Sequence, residues 1–204
     1  MKELAFIGDI HGCLGELEEI VTEARRRTPR LVFLGDYVNR GQKSREVIEY
    51  LIRLSRLSEV SCNFIFGNHD QAFLDTIVYG RIDRFLRMGG AATIASYVDA
   101  PRGDLLSQVR HAVPRDHVDF LQALIPSMMN DGVFAAHDRA VQHKLEVDPS
   151  VFRIYGHSPQ RDLVPTINAT EAFIDTGCGT IVDGRLTCMF WPSLDWVQST
   201  PCVA

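Results

Sequence analysis

Along the first third of the chain, short apolar runs alternate with stretches of helical spacing, a pattern that predicts β-α-β-α-β. Leu4 to Ile7 is an unbroken apolar run, as in a strand covered on both faces. From Leu14 to Arg27 the apolar residues Leu14, Leu17, Ile20, Val21 and Ala24 recur on one helical face, and Pro29 closes that helix. A strand is expected over 31–34, a helix over 44–57 with Val47, Ile48, Leu51, Ile52 and Leu54 inward, and a third strand over 62–66. Residues 70–125 read as mostly helical, broken near Gly80, Gly89-Gly90 and Pro101, after which strand-like runs return at 133–136, 151–155, 171–174 and 186–190. Strands separated by helices pair in parallel, so the first half should form a parallel sheet under helical cover. The later strands, with short turns such as Val182-Asp183-Gly184-Arg185, are expected to pair antiparallel in a second sheet. No linker, repeat or low-complexity tract divides the 204 residues, which predicts one domain over 1–204.

Five of the strand-like runs break into polar loops: LAFI into GDIHG, LVFL into GDYVNRG, NFIF into GNHD, VFAA into HDR and FRIY into GHSP. Ligands in α/β sheets gather beyond the carboxyl ends of strands, so these loops are expected to converge. Asp9, His11, Asp36, Asn68, His137 and His157 then offer carboxylate, imidazole and amide donors without a thiolate, a set suited to manganese, iron or zinc. Six donors exceed what one ion needs if water is also to bind. They suit two divalent ions that share a carboxylate, a device that activates water against phosphoryl centres.

The rest of the composition narrows the partners. A net charge of -5 with 46% hydrophobic residues gives no electrostatic footprint for nucleic acid or an anionic membrane. No apolar run approaches the roughly 18 residues of a membrane span. The opening MKELAFIGDI lacks the basic region and long apolar stretch of a secretory signal. Cys13, Cys62, Cys178, Cys188 and Cys202 are scattered, with no C-x-x-C pair, so reduced thiols in a cytoplasmic protein are expected and no thiolate zinc site. Cys178 reads as a small buried filler.

GDIHG, GDYVNRG, GNHD, a strand-terminal His137 and GHSP occur in that order, with 27 residues from Asp9 to Asp36 and 32 from Asp36 to Asn68. In combination they resemble the calcineurin-like metallophosphoesterases, and within them the serine/threonine phosphoprotein phosphatase branch in its compact bacterial and phage form. FLRMGGAATIASY, residues 85–97, is similar to the Gly-Gly stretch of bacterial members. The resemblance spans residues 5 to about 180. It implies two packed mixed β-sheets flanked by helices, with a dinuclear centre at the strand ends. By the same resemblance Asp9 and His11 hold one ion, Asp36 bridges, and Asn68, His137 and His157 hold the other, manganese being expected first and iron or zinc as alternatives. The nucleophile it implies is a water or hydroxide bridging the ions. Arg40 would grip the phosphoryl oxygens bidentately, with Asn68 and His69 beside it, and His69 would protonate the leaving oxygen.

Two departures from that pattern matter. The family orients the imidazole at position 69 with an aspartate where this chain has Asn39. An amide oxygen accepting from the ring N–H would fix the ring but bring no charge to an imidazolium, and Asp70 is the alternative carboxylate. The segment between His137 and His157 is also shorter than the family insertion that supplies another phosphate-binding arginine; Arg139 is the expected substitute, with Arg153 behind it. Asp175, in the late DTG turn, is expected to be structural. The reading is a phosphatase acting on a phosphoprotein or small phosphate ester. A dinucleotide polyphosphate or cyclic nucleotide hydrolase, and a phosphate-binding pseudoenzyme, are the alternatives.

Overall fold

The apolar runs become strands in a computed structural model that describes residues 2–130, 132–145 and 147–202. Strand β1 (Leu4–Ile7) pairs in parallel with β2 (Arg30–Phe33), Phe6 opposite Val32, and β2 pairs in parallel with β3 (Ser61–Phe64). Helices α1 (Leu14–Arg27) and α2 (Ser44–Ser55) make the two crossovers. Helix α1 buries Leu17, Ile20, Val21 and Ala24, as their spacing requires.

The long helical stretch is five pieces: α3 (Asn68–Tyr79), α4 (Ile82–Arg87), α5 (Ala91–Tyr97), α6 (Leu105–Ala112) and α7 (Arg115–Gln122). Gly80 ends α3 at a φ of 76°, a left-handed position that glycine adopts without Cβ strain. Beyond it lie β4 (Ser127–Asn130), β5 (Val133–Ala136), α8 (Ala140–Leu145), β6 (Phe152–Tyr155), β7 (Thr166–Ile167), β8 (Glu171–Phe173), β9 (Thr187–Trp191) and β10 (Trp196–Gln198).

The strands form two mixed five-stranded sheets, β10-β9-β1-β2-β3 and β4-β5-β6-β8-β7. The antiparallel second sheet expected from the late strands is corrected on two counts. Strands β5, β6 and β8 pair in parallel, because α8 and the longer loop carrying β7 provide crossovers. Strand β9 leaves that sheet altogether and lies antiparallel to β1, Met189 opposite Phe6.

Side-chain alternation explains the layers. Leu4, Phe6, Val32 and Leu34 face Val133, Ala135, Ile154 and Ala172 of the other sheet, while Ala5, Ile7, Leu31 and Phe33 face the core under α1 and α2. Strand ends of both sheets, β1, β2 and β3 from one and β5 and β6 from the other, therefore meet at a single edge. No helix among the described residues is long and apolar enough to cross a membrane.

Candidate metal centre

The loops at that edge depart from regular backbone in a concerted way. His11 (φ 47°), Asp36 (52°), Asn39 (75°), Arg40 (69°) and His157 (65°) all adopt left-handed conformations that cost non-glycine residues about 1 kcal/mol or more each. Hydrogen bonds between loops hold them: His11 N–H donates to Asp36 O over 2.8 Å, Gly12 N–H to Tyr37 O over 2.9 Å, and Gly41 N–H to His11 O over 2.9 Å. Asp70 completes the lacing. Its carboxylate accepts from the N–H groups of Asp36 (2.8 Å), Tyr37 (2.9 Å) and Gly67 (2.9 Å), so it caps α3 and fixes the β2 loop. Asp70, the alternative carboxylate for His69, is thereby corrected: both its oxygens are committed to backbone.

Asp9 and Asp36 are each 2% exposed, and among the described residues neither pairs with a lysine or arginine. Imidazoles surround them instead. His11 Nδ1 lies 3.1 Å from Val38 O and His137 Nδ1 3.0 Å from Leu34 O; a carbonyl only accepts, so in each neutral ring Nδ1 carries the hydrogen and Nε2 is left to bind. Asp36 Oδ2 sits 3.7 Å from His11 Nε2, 3.4 Å from His137 Nε2 and 3.9 Å from His69 Nε2. His137 Nε2 is also 3.1 Å from both Asn68 Oδ1 and His157 Nδ1.

Two clusters result, His11-Asp36-His69 and Asp36-His137-His157, each with ligand atoms within 4.8 Å of one another. Asp36 belongs to both, the position expected of a bridge. Asp9 adjoins the second cluster, its two oxygens accepting from His157 N–H over 3.1 and 3.2 Å. His69, expected as an acid, lies within the first.

The electrostatics favour positive charge between these groups. Burial, then the neighbouring Asp175, pushes the Asp9 carboxyl well above the usual carboxylate range. Burial would raise Asp36 too, but His137, His11 and His69 outweigh it and hold that carboxyl low. His137 is pushed up to about 10, the penalty of burying its imidazolium being outweighed by Asp36 and Asp9. Without metal a proton on His137 thus balances the buried carboxylates. The donors of Asn68, His137 and His157 otherwise enclose one point with lone pairs, which a divalent ion fits. Close approach needs glycine here: a Cβ at Gly67 would stand 2.0 Å from Asp36 Oδ1, and one at Gly156 2.2 Å from Asp9 Oδ1.

Asn39 is fully buried behind His69. Its Nδ2 lies 2.7 Å from His69 Nδ1 and 3.4 Å from Met88 O, while Thr93 Oγ1 donates to its Oδ1 over 2.8 Å. The carbonyl of Met88 can only accept, which assigns the NH₂ group to the side that faces the ring. With the amide in that orientation, the opposite of the one expected, Asn39 donates, Nδ1 accepts, and the neutral ring carries its hydrogen on Nε2. His69 is lowered to about 4, by burial first and with His11 and Arg40 adding to it, against the opposing Asp36.

Arg40 is exposed at the edge of a cavity of about 390 Å³ and packs on Gly89, where a Cβ would come within 3.1 Å of Arg40 Cδ. Arg139 is corrected. Its Nη2 lies 3.3 Å from Glu171 Oε1 and its guanidinium stands over the Phe173 ring, 6.0 Å from the centroid, so a carboxylate of β8 already engages the expected phosphate ligand. Arg153 likewise donates to Thr170 O over 3.3 Å. Asp175 is buried and accepts from Gly177 N–H over 3.0 Å. Two contributors escaped the sequence reading: Thr93, which orients Asn39, and Asp138, whose Oδ2 lies 3.9 Å from His157 Nε2. Thr93 falls inside the 85–97 stretch already singled out, so its signal was present but unassigned.

A family model described as calcineurin-like phosphoesterase matches residues 3–161. The symmetrical bis(5'-nucleosyl)-tetraphosphatase of Pseudomonas syringae pv. syringae is 30% identical over 168 residues, covering 76% of this chain and 54% of that protein. A serine/threonine-protein phosphatase of Arabidopsis thaliana is 33% identical over 93 residues, covering 42% of this chain and 9% of its own length. A crystal structure named for a candidate diadenosine tetraphosphatase superposes with a TM-score of 0.69 at 17% identity, covering 100% of this chain and 95% of that one. The chain spans about half the length of the curated tetraphosphatase it matches over most of its sequence.

Proposed function

Since this chain belongs to the calcineurin-like phosphoesterases, we propose that it hydrolyses phosphate bonds to good leaving groups, phosphoanhydrides of the dinucleoside polyphosphate class foremost. The observation that carries this is the Asn39 amide donating to His69 Nδ1 over 2.7 Å. A serine alkoxide must be protonated as it departs, and an imidazolium held by a carboxylate does that well. Here the ring meets a donor at Nδ1, which favours the neutral form and removes the strong acid. A nucleoside diphosphate departs as a stable anion and needs no such proton. The tetraphosphatase name of the Pseudomonas relative supports the same substrate class.

Asp9, His11, Asp36, Asn68, His137 and His157 are the residues that would hold a pair of divalent ions, manganese being the first choice for this nitrogen and oxygen set. When bound, such a pair supplies Lewis-acid charge and activates water. Arg40, exposed at the cavity edge, binds the phosphoryl oxygens through its planar fork. His69 Nε2–H, within 3.9 Å of Asp36 Oδ2, donates a hydrogen bond toward the same region. Asn39 and Thr93 hold the ring in that tautomer.

A phosphoprotein phosphatase is the second reading, supported by the Arabidopsis relative. Turnover of diadenosine tetraphosphate, an aryl phosphate and a phosphoserine peptide with added manganese separates the two. The first two should exceed the peptide in kcat/KM by about 100-fold or more. Equal or faster hydrolysis of the peptide would overturn the proposal, and no turnover of any of them would leave a phosphate-binding protein.

A further inference from the structure

Three of the five cysteines, expected to be scattered thiols, meet beside the His11 loop. Cys13 Sγ lies 2.8 Å from Cys202 Sγ although 189 positions separate them, and the Sγ atoms of Cys13, Cys178 and Cys202 all lie within 4.8 Å of one another. Cys13 and Cys178 are 4% and 1% exposed, and Cys202 is half-buried at the rim of the cavity that also borders Arg40 and Lys43. Each comes from a fixed backbone position. Cys13 N–H donates to Ile10 O, Cys178 follows the Gly177 turn, and Cys202 N–H donates to Gly184 O over 2.8 Å while Thr200 is anchored on Glu19. Fillers of a hydrophobic core turn their sulfur toward carbon; these three turn it toward each other, with Cys13 and Cys178 also facing the carbonyls of His11 and Ile10.

We propose that Cys13, Cys178 and Cys202 form a three-thiolate site for zinc or another thiophilic divalent ion, separate from the phosphoesterase centre. Tetrahedral zinc with Zn–S bonds of about 2.3 Å sets its sulfurs about 3.8 Å apart. The three side chains reach that by rotamer adjustment, the Cys13-Cys202 pair opening by about 1 Å from its 2.8 Å contact. Binding forms three metal–sulfur bonds and releases three thiol protons, with no change of oxidation state. The complex carries one negative charge, which Arg40 and Lys43 along the cavity offset together with that of Glu16. The fourth position faces that cavity and takes an oxygen donor such as water. Loaded, the site pins the segment around Cys202 and the Cys178 turn to the loop that carries His11. A disulfide between Cys13 and Cys202 is the competing chemistry, but it needs an added oxidant and leaves Cys178 without a part.

Cobalt(II) titration of the full chain, reduced and stripped with chelator, tests this without any substrate. A near-ultraviolet thiolate-to-cobalt charge-transfer band should appear at saturating cobalt, persist in Asp36→Asn, and vanish in Cys202→Ser. Circular dichroism checks that the variant folds, and zinc should shield the half-buried Cys202 of the unmodified protein from alkylation whatever the variant does. A reduced protein with no such band, a band lost in Asp36→Asn but kept in Cys202→Ser, or Cys202 alkylated equally with and without zinc would each overturn the site. Loss of phosphohydrolase activity appears in none of these readouts, so this inference and the proposed reaction fail separately.

Discussion

Asn39 and Asp70 each do the work that the other's side chain invites. The neutral amide stands behind the imidazole and donates to it, while the carboxylate is spent on three backbone N–H groups. Converting Asn39→Asp should place an acceptor at His69 Nδ1, favour the imidazolium and raise kcat/KM on alkyl phosphates by at least about tenfold, with little change on anhydrides. The same change sets a carboxylate oxygen against Met88 O, now 3.4 Å from Nδ2, so about 1 kcal/mol of stability should be lost. Equal gains on both substrate types would reject the leaving-group account. Removing the Asp70 carboxylate strands three buried donors, and Asp70→Ala should cost about 3 to 5 kcal/mol in denaturant unfolding. That role was legible in the sequence, because Asp70 stands three residues after Gly67 at the start of a helix, the spacing of a capping box. It was obscured by standing next to a histidine of evident chemical use.

Elements that announce themselves by periodicity fell where the sequence placed them. Strands β1 and β5 match residue for residue, and α1 does too, since an unbroken apolar run or a helical stripe constrains burial at every position. The short edge strands β4, β7 and β10 carry no such signal: Ser127–Asn130 shows only Met128 buried. Pairing partners were the harder problem, for β9 reads alike whether it joins one sheet or the other. Helix α5 illustrates how elements couple to the site, as it carries Thr93 to Asn39 and Tyr97 to His117 of α7, with Tyr97 Oη 2.8 Å from His117 Nδ1. Burial lowers His117 below its ordinary 6.5, so folding favours the neutral ring. Its contribution is complete above pH 6.5 and lost as pH falls below that value, because the unfolded chain then binds the proton that the fold resists. Thermal melts from about pH 7.5 down to 5 should show this loss, and His117→Gln should flatten the slope.

At the scale of the molecule the candidate centre exists only because two sheets end at one edge. Asp9 and His157, 148 positions apart, share hydrogen bonds there, and no local pattern predicts that contact. The gathering of ligands beyond the carboxyl ends of strands predicted the convergence, and the resemblance of the five loop blocks to a known family assigned the roles; the burial of two carboxylates surrounded by imidazoles gives the site its physical character. Bringing Asp9 and Asp36 out of water without a lysine or arginine opposes folding, and bound cations relieve it. Manganese at about 100 times its dissociation constant should therefore stabilise the fold by about 2.7 kcal/mol per site, seen as a rise in Tm that chelator reverses. Gly156→Ala should abolish most of that rise, because its Cβ would overlap Asp9 Oδ1 at 2.2 Å and push the carboxylate off the ion. If Tm were the same with and without manganese in the parent protein, the buried carboxylates would be balanced by protons alone, and the edge where the sheets meet would not be a metal centre.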